Sequence, residues 1–317
     1  EVLSKHKQPS PKKGPDSPLQ ECEDCAYTAL RPPKIYFCCR RTGNLPSAPM
    51  ITECIEYQEQ LVYPCERGVD FTGKFSRSNY CLHNADDLIV GGQDAKRDEF
   101  PHMALLGFGD GSTSGSTLCG GTIISENFIL TAGHCTYAPK IGPVTTVKVG
   151  LLRLSENAPA HRVHRIKRVI KHPQYKAPSK YHDIALLETE TPINLDRSAV
   201  PACLDIGDIV DDSRATATGW GHNKSYGQAQ DVLQKASSLL LLNLVGKECW
   251  KWQGWHWLLI NLGDSGGPLQ IHNSKIHCMY TIIGVTSFGK YCGQIGRPGM
   301  YTRVSTYTSW IESIVWP

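Results

Sequence analysis

The sequence lacks any long apolar run. Its longest, residues 239–242 and 257–260, fall far short of the roughly 18 residues that a helix needs to cross a membrane, which excludes a helical span. An excess of one charge is also missing: 33 basic and 30 acidic residues leave a net charge of +3. With so even a balance, and no basic face interleaved with aromatics, nothing argues for a nucleic-acid partner. The chain opens at Glu1 with no methionine, charged leader or apolar h-region, which fits a mature, secreted form freed of its signal peptide. Methionine is scarce, at four residues, whereas cysteine is abundant, at thirteen. Thiols held reduced gain nothing from such numbers, so the composition points to an oxidising compartment. Thirteen is odd, which leaves at least one sulfur free, paired between chains or lacking its partner.

At 317 residues and 40% hydrophobic content, the chain is long enough to bury two cores. Residues 1–20 are rich in Lys, Pro and Ser with almost no apolar periodicity, and read as a flexible tail. Residues 21–41 carry Cys22, Cys25, Cys38 and Cys39 and read as a small disulfide-stapled module. Zinc is the competing reading, opposed by the lack of a second well-spaced Cys/His pair. Residues 42–88 are polar, broken by Pro and Gly, and hold Cys54, Cys65 and Cys81 without a long periodic segment; they read as a linker with tethers. From Ile89-Val90-Gly91-Gly92 onward, short β-rich segments recur between turn signals. They fall at residues 122–124, 128–131, 144–149, 184–187, 215–219, 237–242, 282–287 and 300–304, the spacing of a sandwich or barrel. One convincing helix closes the chain, with Trp310, Ile311, Ile314 and Val315 on one face behind the candidate caps Ser305 and Thr306. Arg162, Arg165, Lys167 and Arg168 crowd residues 162–170, where a solvated strand face outweighs a polyanion site. Asn223-Lys224-Ser225 is a glycosylation sequon in a loop.

Three short motifs carry chemistry. Gly263-Asp264-Ser265-Gly266-Gly267 puts a serine in a glycine-rich turn, where small residues let a substrate carbonyl approach backbone N–H groups. Thr131-Ala132-Gly133-His134-Cys135 sets a histidine beside a cysteine at the end of an apolar strand, with Cys119 of Cys119-Gly120-Gly121 as that cysteine's natural disulfide partner. His182-Asp183-Ile184-Ala185-Leu186-Leu187 offers an acid at the start of an apolar segment, where burial keeps it from solvent. Taken singly, they also read as a core histidine, a strand-end aspartate and a turn serine. In this order, each in its motif, His134, Asp183 and Ser265 resemble the trypsin and chymotrypsin family.

The resemblance covers residues 89–317 and implies an all-β domain of two six-stranded antiparallel β-barrels with the active site in the cleft between them. It makes Ser265 the nucleophile, His134 the base and Asp183 the group that orients and stabilises the imidazole, with the N–H groups of Gly263 and Ser265 as oxyanion hole. Ser287 would support Asp183 and, with Gly289, pair with the substrate backbone. Family members are made as zymogens: cleavage between Leu88 and Ile89 would free an ammonium that inserts beside Asp264 and orders the turn. Leu88, where most relatives have Arg or Lys, implies an activator with an apolar pocket. Cys81 and Cys203 match the cysteines that keep the pro-segment attached, and Cys54 with Cys278 is a further possible pair. The cysteine-rich start, followed by a linker and then the protease, resembles the clip-domain serine proteases of arthropods, their Snake-like branch in particular. Only four of the six clip cysteines are present, so the module at 21–41 is partial. This implies an extracellular cascade with a protein substrate, an upstream protease and a serpin-type inhibitor as partners, and neither cofactor nor metal.

One interval departs from the family. Between Cys249 and Ser265 the chain is shorter than in relatives, lacks both of their cysteines, and packs Trp250, Trp252, Trp255 and Trp257 close together. Leu259 stands where trypsin-like members have the aspartate that binds Arg or Lys, while Gly289 and Gly299 leave the other wall of the pocket open. At face value this implies a chymotrypsin-like preference. The abrupt break across residues 250–262 resembles an alternative exon or a gene-model artefact more than an evolved pocket. Each missing bridge forfeits about 2–5 kcal/mol, which opens a second reading, a catalytically impaired protease homologue acting as a binding or regulatory partner.

Overall fold

The computed structural model describes residues 48–67, 75–82, 93–110, 119–139, 141–207, 214–221, 229–239, 242–244, 249–252, 264–273, 275–288 and 300–317. The cysteine-rich module at 21–41, the Leu88–Ile89 junction and the sequon at Asn223 lie outside these residues.

Six strands form a closed antiparallel barrel: β1 (Met103–Phe108), β2 (Gly120–Ile123), β3 (Phe128–Thr131), β4 (Gly142–Val149), β5 (Val163–Lys171) and β6 (Ala185–Thr189). Their order is β1-β2-β3-β6-β5-β4, and β4 pairs back onto β1. All six residues of β1 are buried, and the two-residue period of a strand shows how. Ala104, Leu106 and Phe108 point into the first core with Ile123, Ile129, Leu130, Val147 and Leu186. Met103 and Leu105 point the other way, into a second core with Phe100, Trp220, Leu233 and Tyr280. Each of the larger apolar side chains among these contributes about 1.5–3 kcal/mol by leaving water.

The second sheet contains β7 (Arg214–Gly219), β8 (Gln234–Leu239), β9 (Leu242–Leu244), β10 (Cys249–Trp252), β11 (Pro268–His272), β12 (Tyr280–Phe288) and β13 (Met300–Arg303). They run β9-β10-β13-β12-β11-β7-β8, and the short strand Gln93–Asp94 pairs with β8 at the far edge. This is the chymotrypsin-like architecture that the motifs imply. Strand positions fall close to the turn-bounded segments, but β1, β10 and β11 escape such reading. In β1 both faces are buried, which erases the polar/apolar alternation.

Among the described residues, two α-helices flank the sheets. The last, α2 (Thr308–Val315), buries Ile311 in the first core. Its N-cap is Tyr307, without a side-chain cap, in place of the expected Ser305 or Thr306. Residues Val304–Thr306 instead form a 3₁₀ turn, and Tyr307 N–H donates to Val304 O.

The other helix, α1 (Pro49–Tyr57), lies in the stretch that reads as linker. Its buried residues Met50, Cys54 and Tyr57 follow helical spacing, but three anchors in nine residues are too few for a periodic signal. Tertiary contacts hold it: Tyr57 Oη donates to Glu126 Oε2 at 2.7 Å, and Gln58 Nε2 to His277 O at 2.5 Å. Burial and the Glu126 carboxylate push the Tyr57 phenol well up from its ordinary value.

The disulfides correct one expectation. Cys203 bonds Cys54, not Cys81, and Cys81 bonds Cys278, so neither Cys81–Cys203 nor Cys54–Cys278 forms. The docking of α1 against Cys203–Leu204 brings Cys54 to Cys203. The chain then turns through the ribbon of Cys65–Arg67 and Phe75–Arg77 before Cys81 arrives at Cys278.

Candidate active site

Three stretches that are far apart in the chain meet where the two sheets face each other. His134 lies in the 3₁₀ turn Gly133–Thr136 that follows β3, and Cys119–Cys135 ties this turn to the start of β2. Gly133 leaves room for the Tyr175 ring, since a Cβ there would come within 2.8 Å of it. Asp183 begins the run into β6, just after His182, whose φ of +56° is a left-handed conformation outside glycine's domain. Ile184 N–H donates to His182 O at 2.8 Å to close that turn.

Asp183 is wholly buried and fully engaged. The His134 ring donates from Nδ1 to Asp183 Oδ2 at 2.8 Å, and the His134 backbone N–H donates to Oδ1 at 2.8 Å. Ser287 Oγ, from β12, donates to Oδ2 at 2.5 Å, and Thr302 Oγ1, from β13, donates to Asp183 O at 2.9 Å. Burial by itself raises a carboxyl, but the His134 ring N–H and charge, the Ser287 hydroxyl and the His134 backbone N–H together hold Asp183 below its ordinary value. The first barrel and the second sheet therefore both hold Asp183, which fixes the imidazole with Nδ1 protonated and leaves Nε2 as its basic nitrogen.

Ser265 is brought to the same place through its neighbours. Its carbonyl accepts from Gly120 N–H at 2.8 Å, and Gly266 N–H donates to Thr286 O at 2.8 Å. Gly266 has φ +77°, and a Cβ there would run into Thr131 Oγ1 and lie 3.1 Å from Cys135 Sγ. Only glycine fits a left-handed turn wedged against the residues flanking His134. Asp264 Oδ1 accepts from Gly221 N–H at 2.9 Å and lies where a side chain on Gly219 would be.

The structure thus brings together His134, Asp183, Ser287, Ser265 and Asp264. Gly263, Leu259, Gly289, Gly299, Leu88 and Ile89 lie outside the described residues. Thr302 and Tyr175 support the site without any mark in the sequence, because their roles arise only when β13 and the loop before Asp183 fold against it. Among the described residues, Cys119, His134 and Cys135 are the one group with metal-ligand spacing; their disulfide removes both thiolates. No helix among the described residues is long and apolar enough to cross a membrane.

A buried carboxylate that holds an imidazole, with a glycine-locked serine turn packed against the residues next to that imidazole, fits a serine protease. Sequence comparison agrees: the Trypsin family matches residues 89–311, and the chain belongs to that family. Within it, the chain is similar to "Serine protease snk" of Drosophila melanogaster, 30% identical over 287 residues that cover 83% of this chain and 64% of that protein. It is similar also to "CLIP domain-containing serine protease C9" of Anopheles gambiae, 32% identical over 268 residues, 75% of this chain and 71% of the relative. Bovine "Coagulation factor XI" is 34% identical over 249 residues, 74% of this chain and 39% of the relative. The likeness is to the clip-domain, Snake-like type of trypsin-like protease. The chain spans less than two thirds of the Drosophila and bovine proteins.

Proposed function

We propose that the chain is a secreted serine endopeptidase zymogen of an extracellular proteolytic cascade, activated by cleavage between Leu88 and Ile89. The observation that carries this reading is the His134–Asp183 pair held from the first barrel and the second sheet beside the turn of Ser265. In the reaction, Ser265 Oγ attacks the peptide carbonyl and His134 Nε2 takes its proton. Asp183 stays ionised and stabilises the imidazolium, which then protonates the leaving amine. The N–H groups of Gly263 and Ser265 receive the charge that develops on the carbonyl oxygen.

Strand register supports the activation step. Asp94 pairs with Gln234, which pairs with Gly219, and the Asp264 carboxylate lies against Gly219. Two strand spacings of about 4.8 Å therefore separate Asp94 from the Asp264 carboxylate's neighbour. Ile89 precedes Asp94 by five residues, a reach of about 17 Å at most, so a freed Ile89 ammonium reaches Asp264 without disturbing the sheet. Lys235 Nζ, bonded to Glu99 Oε1 at 2.6 Å, secures the chain just beyond. Cys54–Cys203 and Cys81–Cys278 keep the segment ahead of the junction covalently attached after the cut. The second reading, an impaired homologue that binds partners, is favoured by the interval 250–262, which lacks two family cysteines and carries Leu259.

Leu88→Arg moves activation to trypsin-like proteases. Brief trypsin treatment of this variant yields a chain beginning Ile89-Val90-Gly91-Gly92 that hydrolyses peptide amides; resistance at residue 88, or a correctly cut chain without hydrolysis, contradicts the reading.

A further inference from the structure

The Asp183 carboxylate is held by His134 and Ser287, but the backbone that carries it is held from behind, away from the reacting atoms. The chain leaves β5 at Lys171 and returns to the sheet after Ile184, and His172 closes this loop twice. Its backbone N–H donates to Ile184 O at 3.1 Å, one residue after Asp183. Its ring lies on that of His182, one residue before Asp183, with centroids 5.1 Å apart and planes 15° from parallel. A single residue therefore brackets Asp183 on both sides.

The stack is walled by the last helix. Tyr307, the N-cap of α2, stands edge-on to His172 at 5.0 Å and to His182 at 6.0 Å, and its Oη is in hydrogen-bond contact with His182 Nδ1 at 3.1 Å. Trp310, on the next turn, stands edge-on to His172 at 5.1 Å, the geometry that aromatic rings prefer. Tyr307 is buried in the first core and Trp310 packs against it, so both are fixed points. Burial, and after it the neighbouring His182, hold His172 below its ordinary value, which keeps it an uncharged ring at neutral pH. His182 itself has φ +56°, a conformation that persists in a non-glycine residue only where its surroundings impose it.

We propose that His172 and Tyr307 are positioning residues for the His134–Asp183 pair: they lock His182 in its left-handed turn and so aim the Asp183 carboxylate at the His134 ring. Neither touches the reacting atoms, and both act through His182. The kinetic consequence rests on the endopeptidase reading, whereas the positioning is readable without turnover. A carboxylate that drifts from its place lengthens the bond to Nδ1 and misaligns the base, a loss that reaches kcat and spares KM.

The test follows the bond itself. Full chain carrying Leu88→Arg and Ser265→Ala is cut with trypsin, and the Nδ1 proton of His134, carried far downfield of the amides by its bond to Asp183, is observed by NMR. His172→Ala moves this signal upfield or broadens it away, and His172→Phe, which keeps a flat ring on His182, restores it. Tyr307→Phe, which removes one hydroxyl, moves it in the same direction by less. With Ser265 intact, His172→Ala lowers kcat about ten-fold at unchanged KM, while His172→Phe stays within about two-fold of the parent. No downfield signal in the parent, a signal unmoved in His172→Ala, or one lost as fully in His172→Phe as in His172→Ala overturns the proposal. If His172→Ala does not fold, Tyr307→Phe decides: an upfield shift upholds the proposal and an unmoved signal overturns it. A moved signal in chains that hydrolyse nothing supports the positioning and overturns only the catalysis; hydrolysis with an unmoved signal overturns only the positioning.

Discussion

Asp183 illustrates how little freedom the central residue has. Its carboxylate accepts from the His134 ring, the His134 backbone and Ser287, so each oxygen is committed and the ring is fixed in one tautomer. Asp183→Asn places an amide opposite Nδ1. The amide N–H then donates to Nδ1, the ring proton moves to Nε2, and the base is lost. The expected result is a fall in kcat of about 10⁴ with KM little changed, measured on the activated chain with a peptide amide. The same residue ties stability to pH. Because its folded value lies below its ordinary one, its contribution is complete above about pH 4 and is lost as pH falls through the lower folded value. Urea midpoints of the Asp183→Asn variant therefore decline less steeply below pH 4 than those of the parent chain.

At the scale of elements, α1 departs most from what the sequence announces. Met50 joins the first core, while Cys54 and Tyr57 join a cluster with Val200, Cys203 and Met279, so the stretch ahead of the protease domain is built into its surface. Removing the tether with Cys54→Ala and Cys203→Ala together lowers stability by about 2–5 kcal/mol, read as a shifted urea midpoint. An unchanged midpoint shows that α1 is not held by this bond. The strands were legible where turn residues bound them, as at β3, or where one face meets solvent, as at β4. The helix α2 was legible from the spacing of Trp310, Ile311 and Ile314. In contrast, α1 has too few apolar positions to show a period, and its cysteine partner is set by docking that no local pattern encodes. The site was legible for a related reason: His134, Asp183 and Ser265 each sit in a motif whose small or apolar neighbours serve local geometry. Thr302 and Tyr175 act only through tertiary placement and left no trace.

In the whole molecule, one chemical centre is shared by two β-structures. The first barrel supplies His134 and Asp183. The second supplies Ser287 and Thr302, and the Ser265 turn is bonded to both through Gly120 and Thr286. In the proposed activation, the freed Ile89 amine orders the turn by pairing with Asp264, so cleavage after Leu88 makes Ser265 reactive. Fluorophosphonate labelling of the intact and cleaved chain, followed by mass analysis of the labelled peptide, tests it most directly. Little labelling is expected before cleavage, strong labelling at Ser265 afterwards, and none in Ser265→Ala. A folded chain that begins at Ile89 and remains unlabelled contradicts it.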